Sequence, residues 1–449
     1  MPGLTVGFFA LVLLLGGSAR ADAASLLLLR PMAVLVLGYA LVQWLKSPAT
    51  GLGVPIGAFA LLAGLALLQI VPLPPQVWTA LPGREPLVAA LEAARVPLGW
   101  QPLSVVPMAT LNAFGALLVP IAGLILLAIA NEETRERALL LLVGFLLASA
   151  ALGLLQAIAP SQSILYLYRV TNDSYPVGLF ANRNHQAVML AAIIPFVLAF
   201  GERLARERGA AFLWLGRIVA LGLVGLCIMT GSRAGSVLAI GAFLVATALF
   251  ADARIAATPP YPSQRRDRLA MLALPAAVLL ALVGIALSGA GAAFERLADK
   301  DSFDDLRFQI LPDLFAMIAD AMPLGWGFGT FPEVFEIYER REMIQPFYVN
   351  HAHSDWLEVI IEGGLAAPAI LLVLGLWIAR TAWSKRHALL RPRDHASRLT
   401  FSAFAAILIL VAGSLFDYPL RTPAGALGFV IFLAILAVPK AASPGSRGE

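Results

Sequence analysis

The chain has 449 residues, of which 59% are hydrophobic and only 13% charged, and its mean hydropathy is +0.82. Soluble domains carry about 25% charged residues, so this composition excludes a disordered protein, a coiled coil and a soluble enzyme together. A net charge of +4 does not indicate nucleic acid, because membrane proteins gather basic residues in their inner loops, and the one cysteine, Cys227, allows no intrachain disulfide or cysteine-held metal.

Apolar runs of about 17–25 residues, long enough to cross a bilayer, follow one another along the chain. They fall near 4–19, 26–45, 51–72, 109–130, 137–159, 184–201, 213–230, 233–251, 270–289, 359–380, 400–417 and 422–439. The pattern predicts an all-α polytopic membrane protein of about twelve transmembrane helices, a single membrane domain over 1–449. The first run, followed by Ser18-Ala19-Arg20-Ala21, also has the shape of a leader with an A-x-A cleavage motif, although no Lys or Arg precedes it. An even number of spans puts both termini on one side. On that side lie Lys46, Arg135, Arg137, Arg203, Arg206, Arg208, Arg217, Arg254, Arg265, Arg266, Arg268, Arg380, Lys385, Arg386, Arg391, Arg393, Arg398, Lys440 and Arg447, which predicts cytoplasmic termini.

Two loops on the opposite, outer face are long. The first, 73–108, is rich in proline and tryptophan and reads as an interfacial segment lying on the bilayer. The second, 290–358, is the one sizeable polar region, and loops of this length in a compact fold are usually functional or disordered. Apolar residues at Leu306, Ile310, Leu311, Leu314, Phe315 and Ile318 predict an amphipathic helix within it. The loop is therefore expected to be folded and to carry chemistry.

Polar residues at bilayer depth are costly, and outer-facing clusters of them are functional candidates. "GLFANRNHQ" places Asn182, Arg183, Asn184, His185 and Gln186 where the sixth span begins; a helix cap needs fewer polar residues than this. "TGSRAGS" holds Ser232 and Arg233 in a turn at the membrane surface, where arginine can also snorkel to headgroups. Arg307 follows Asp304 and Asp305, which offer it local ion pairs. "NHAHSDWLE" carries His351, His353, Ser354 and Asp355; two histidines alone do not make a metal site, and capping or proton transfer are the other uses of this set. Asp417 and Arg421 in "FDYPLRTP" read as a local salt bridge. Several arginine forks on one face suit a diphosphate, whose charge a divalent ion could otherwise hold. Metal-free handling of a lipid diphosphate, with no cofactor, is the chemistry this set predicts.

"GLFANRNH", "TGSRAG", "LRFQILPDLFAMIADAMPLGWGFGTF" and "HAHSDWLEVIIEGGL", within 175–370, resemble in order and spacing the O-antigen ligase and polymerase superfamily. That resemblance implies a GT-C-like, metal-independent glycosyltransferase of the bacterial inner membrane, with its active site facing the periplasm. Its donor would be an undecaprenyl-diphosphate-linked glycan. Its acceptor would be lipid A core, a second glycan or a protein hydroxyl, and transfer would invert the anomeric carbon. Diphosphate-binding arginines carry over onto Arg233 and Arg307, and Arg183 matches a third. The essential histidine carries over onto His353, in a context where Ser354 replaces a common asparagine, with His351 its nearest competitor. Asn182, Asn184, His185, Ser232, Ser354 and Asp355 are the expected supporting residues. A polyprenyl-linked sugar transporter or flippase is the alternative from another class, and would place its polar site near the midplane with repeat symmetry.

Overall fold

A computed structural model describes residues 2–46, 51–161, 163–255, 308–344 and 348–438. The predicted span at 270–289, the beginning of the second long loop and Arg307 lie outside the described residues. Helices α1 (Pro2–Leu15), α2 (Leu26–Lys46) and α3 (Gly53–Gln69) lead to β1 (Pro72–Leu73), α4 (Pro75–Trp78), α5 (Glu85–Ala93) and β2 (Gln101–Pro102). Then come α6 (Pro107–Ile129), α7 (Glu132–Ile158), α8 (Arg183–Arg208), α9 (Ala211–Met229) and α10 (Arg233–Ile255). The later chain forms α11 (Leu311–Ala321), α12 (Phe331–Tyr338), α13 (Asp355–Gly363), α14 (Ala366–Ser384), α15 (Arg386–Leu390), α16 (His395–Gly413) and α17 (Pro423–Ala437).

Among the described residues, eight helices are long and apolar enough to cross a membrane, and α1, α3 and α17 are shorter apolar helices. Every predicted apolar run within the described residues is helical. The tenth differs from its expected boundaries: its first residues form the separate helix α13, which ends at Gly363–Gly364, and the spanning helix starts at Ala366.

Two helices form the centre. A helix that is apolar on every side must be buried on every side, and α17 buries all its residues except Ala426 and Ala437. In α8, 83% of the spanning window is buried. Phe196 of α8 stacks on Phe432 of α17 at 5.4 Å. Small residues let α8 approach its other neighbours, as in membrane helix pairs generally: a Cβ on Gly216 of α9 would stand 2.9 Å from the Gly201 Cα. The outer helices α2 and α14 are only 22% buried over their spans and present residues such as Leu27, Leu35, Leu45 and Trp383 outward.

At one end of this bundle Arg203 bridges Glu136 at 2.7 Å and Glu207 at 2.9 Å, and Lys385 donates to the Leu436 and Val438 carbonyls. At the other end the two long loops fold together. β1 pairs antiparallel with β2, and Trp78 is buried with its indole N–H donating to the Gly99 carbonyl at 2.9 Å. Arg84 lies 5.3 Å from the Trp326 ring, so the first loop rests on the second. The inward face of α11 is Leu314, Met317 and Ala321, extended by Ile310 at its N-cap; Phe315, expected on that face, is 57% exposed instead.

Candidate functional site

Four helix starts converge at the looped end, each stopped by a side chain that takes a free backbone N–H. Asn182 Oδ1 accepts from Asn184 N at 2.8 Å and opens α8. Ser232 Oγ accepts from Gly235 N at 3.2 Å and opens α10. Ser354 Oγ accepts from Leu357 N at 3.5 Å and opens α13, and Thr422 Oγ1 accepts from Gly425 N at 3.0 Å and opens α17. The capping reading of these polar runs is therefore met, and the caps hold the neighbouring residues in place.

What they hold is a cluster of imidazoles around Tyr418. The Tyr418 ring is buried, with the His351 ring centroid at 4.0 Å, His185 at 4.9 Å and His353 at 5.7 Å. His353 adopts φ +51, a left-handed conformation uncommon outside glycine, in the turn that leads into α13. Burial and the Asp417 carboxylate push the Tyr418 hydroxyl up, against hydrogen-bond contact with Asn350 and Asn182. It is therefore neutral at physiological pH.

Two carboxylates serve the histidines. Glu358, 1% exposed, reaches His351 Nδ1 with Oε1 at 2.8 Å, while its other oxygen accepts the Ala352 N–H at 2.9 Å. Asp417, equally hidden, stands 3.6 Å from His185 Nε2 and 4.0 Å from His353 Nδ1, and accepts from Asn184 Nδ2 at 2.5 Å. Ser354 and Asp355, expected to position His353, are engaged elsewhere: Ser354 caps α13, and Asp355 accepts from Ser414 Oγ at 2.9 Å.

The Asp417–Arg421 salt bridge predicted from spacing is not formed. Arg421 points instead at α13, meeting Asp355 at 3.2 Å, Glu358 at 3.0 Å and Glu362 at 3.3 Å. Residues 355, 358 and 362 recur at helical spacing and so share one face. Burial opposes the Arg421 charge, but the three carboxylates outweigh it and hold the guanidinium firmly protonated. Burial also works against an ionised Glu358, yet Arg421 and His351 hold it below the ordinary carboxylate range. Glu362 goes the other way: burial, reinforced by Glu358, pushes it up to about 8 despite Arg421. Burial likewise raises Asp355 to about 6.

Behind α13 the "GWGFG" turn forms a rigid corner. Trp326 N and Gly327 N donate to the Ile361 and Glu362 carbonyls, both at 3.0 Å, and buried Gln69 ties the Glu362 carbonyl to the Phe328 N–H. The glycines at 325, 327 and 329 all have positive φ.

The arginines lie beside this cluster. Arg183, the first residue of α8, stacks over the Tyr175 ring at 4.0 Å. A Cβ on Gly231 would meet the Arg183 guanidinium at 3.1 Å, so the "TGSRAG" turn and Arg183 adjoin. Arg233 is exposed in the first turn of α10. The structure thus brings Asn182, Arg183, Asn184, His185, Ser232, Arg233, His351 and His353 to one end of the bundle. Sequence reasoning missed Glu358, Glu362 and Tyr418, and misread Asp417 and Arg421. The acid stripe Asp355-Glu358-Glu362 in an apolar helix was the available signal.

Chemically, this end offers carboxylate-held imidazoles that can accept a proton, next to guanidinium groups that can hold an anion. The family model described as O-antigen ligase matches residues 218–372, from α9 through the Arg233 turn and both loop histidines into α14. No curated protein matches the chain. The apolar helices fit a multi-pass membrane protein, and the matching segment, which contains His351, His353 and all of α13, is similar to the O-antigen ligase family.

Proposed function

We propose that the protein transfers a glycan from undecaprenyl diphosphate to a hydroxyl acceptor at the periplasmic face of the inner membrane. Its termini would be cytoplasmic and its architecture of the GT-C type. The observation that carries this reading is the gathering of three imidazoles and two buried carboxylates on Tyr418, beside Arg183 and the Arg233 turn. The basic end around Arg203 and Lys385 is the opposite one, which supports the periplasmic assignment of the histidine end.

In this reading an imidazole accepts the proton of the acceptor hydroxyl as its oxygen bonds to the anomeric carbon. The bond from that carbon to the diphosphate breaks on the opposite face, giving inversion. Arg183 and Arg233, with Arg307 from outside the described residues, take the negative charge that grows on the leaving diphosphate. His353 is the proposed base. One observation favours His351 as a second assignment, since its Nδ1 is held by Glu358 at 2.8 Å, which orients the ring and stabilises the imidazolium that forms. The proposed role is that of a ligase acting on lipid A core; a polymerase adding to a second lipid-linked glycan uses the same site.

The test is transfer by the purified protein from an undecaprenyl-diphosphate glycan in EDTA. Product formation with release of undecaprenyl diphosphate is expected. Activity that EDTA abolishes and a divalent ion restores would overturn the metal-independent mechanism. Movement of the donor across liposomes without transfer would make the protein a transporter.

A further inference from the structure

Arg183 does not stand alone at the head of α8. The Tyr175 ring lies against its guanidinium, with the centroid 4.0 Å from Cζ. A Cβ on Gly231 would stand 3.1 Å from Arg183 Nη1 and 3.4 Å from Tyr175 Cε1, so the turn before α10 closes on the pair. Gly231 has φ +70, a conformation that suits glycine, and a residue without a side chain leaves the room the pair needs. Tyrosine, arginine and the turn that carries Arg233 therefore meet at one point.

Tyr175 reaches that point from a loop that is tied down along its length. Its N–H donates to the Asn172 carbonyl at 3.1 Å, and its carbonyl accepts from Val177 N at 2.9 Å. Asn172 also accepts the Arg183 N–H on its side-chain oxygen at 3.0 Å, so ring and arginine share an anchor. Further on, Gly178 donates to Gln156 Oε1 at 2.6 Å and accepts from Gln156 Nε2 at 3.0 Å, and Leu179 N donates to Ser149 Oγ at 2.8 Å. Gln156 and Ser149 are buried residues of α7. The loop's apolar anchors are Val177 and Phe180, each 1% exposed, whereas Tyr175 is only half-buried. Its ring is therefore a fixed surface beside Arg183 and not the side chain that seats the loop.

We infer that Tyr175 is a positioning residue for the donor's diphosphate, acting through Arg183. This rests on the transfer reading above and adds to it a residue outside the arginine and histidine sets. A guanidinium carries its N–H groups in its own plane, so a ring on its face fixes the tilt of that plane and leaves the donors at its edge for phosphate oxygens. An arginine that must be ordered at the moment of binding spends rotamer freedom on it, and one already stacked spends less. The ring also keeps water from one face of the cation, which strengthens its hold on an anion.

The test uses the full-length protein in detergent with EDTA. Transfer from an undecaprenyl-diphosphate glycan and calorimetric binding of inorganic pyrophosphate are measured on the same preparations. Tyr175→Leu keeps apolar bulk and removes the ring, while Tyr175→Phe keeps the ring. Tyr175→Leu is expected to weaken pyrophosphate binding and raise the donor KM by about tenfold, with the acceptor KM unchanged. Tyr175→Phe should restore both. Added to Arg183→Ala, Tyr175→Leu should cause no further loss, because no guanidinium is left for it to hold. Wild-type pyrophosphate binding and donor KM in Tyr175→Leu would overturn this inference and leave the transfer reading standing. So would a double variant in which the two losses simply add, since that is the mark of a loop residue acting independently of Arg183. A wild type that binds pyrophosphate but forms no product would overturn the transfer reading alone, with pyrophosphate binding to the variants still deciding the role of Tyr175.

Discussion

His351 Nδ1 and Glu358 Oε1 are 2.8 Å apart, and the carboxylate is 1% exposed at the first turns of α13. A buried carboxylate this close fixes the ring's orientation and tautomer and leaves the second ring nitrogen for proton transfer. Glu358→Gln keeps the shape and removes the charge. The expected outcome is a fall in kcat of about tenfold, the kinetic equivalent of about one pKa unit, with donor KM unchanged. Glu358→Asp should recover part of the loss. A Glu358→Gln enzyme with wild-type kcat would show that the pair is only structural.

Arg421 occupies, among Asp355, Glu358 and Glu362, the place a cation would take. Removing it leaves three carboxylates in a buried cluster without their counter-ion. Arg421→Ala is expected to destabilise the protein by about 3–5 kcal/mol, the usual cost of breaking a buried ion pair from one side. Arg137→Ala is the matched control, because its i,i+4 pair with Glu133 is exposed and contributes less than about 1 kcal/mol. Thermal unfolding in detergent separates the two, and equal shifts would contradict the account of the cluster.

Glu362 gives a pH dependence of known sign. Its folded pKa of about 8 lies above its ordinary value of 4.5. A raised acid pKa contributes stability that is present below the ordinary value and lost as pH rises through the folded one. Between about pH 5 and 9 the wild type should therefore lose stability from this group. Glu362→Gln, which mimics the neutral acid, should flatten the profile, with melting temperatures higher than wild type above about pH 8 and similar only below about pH 4.5. Parallel profiles would show that Glu362 is ionised throughout.

The corner behind α13 depends on backbone conformations that glycine alone adopts without strain. Gly325 has φ +79, and a Cβ there would meet Gly364 N at 2.5 Å and the Glu362 carbonyl at 2.6 Å. Gly325→Ala is expected to cost about 1–3 kcal/mol and to lower kcat by displacing the helix that carries Glu358. Gly144→Ala, in the middle of α7 with open space around it, should be neutral or slightly stabilising. Melting temperature and kcat measured on both variants check this.

The spans were legible in the sequence because each is a long apolar run, and length against bilayer thickness is a strong constraint. The tenth was misplaced because Val359, Ile360 and Ile361 continue the apolar pattern of α14 across the Gly363–Gly364 break. The candidate site was legible in part: the unusual polar runs at 182–186, 230–236 and 350–358 all come to one end. Asp417 and Arg421 were misread because i,i+4 spacing implies contact only on a helix. Tyr418 has φ −129 and precedes a single helical turn at Pro419–Arg421, which turns the two side chains toward different neighbours. Glu362 was missed because its partner Arg421 comes from a segment about sixty residues away, and Glu358 because its contact with His351, seven residues back, runs across the turn before α13, where spacing carries no information.

The most direct test of the central claim is the initial rate of glycan transfer by the His351→Ala/His353→Ala double variant, with donor binding measured on the same preparation. The account predicts that transfer falls by about 10²–10⁴-fold, the usual loss on removing a general base, while undecaprenyl-diphosphate glycan still binds through Arg183 and Arg233. Transfer at the wild-type rate by a folded double variant would contradict it.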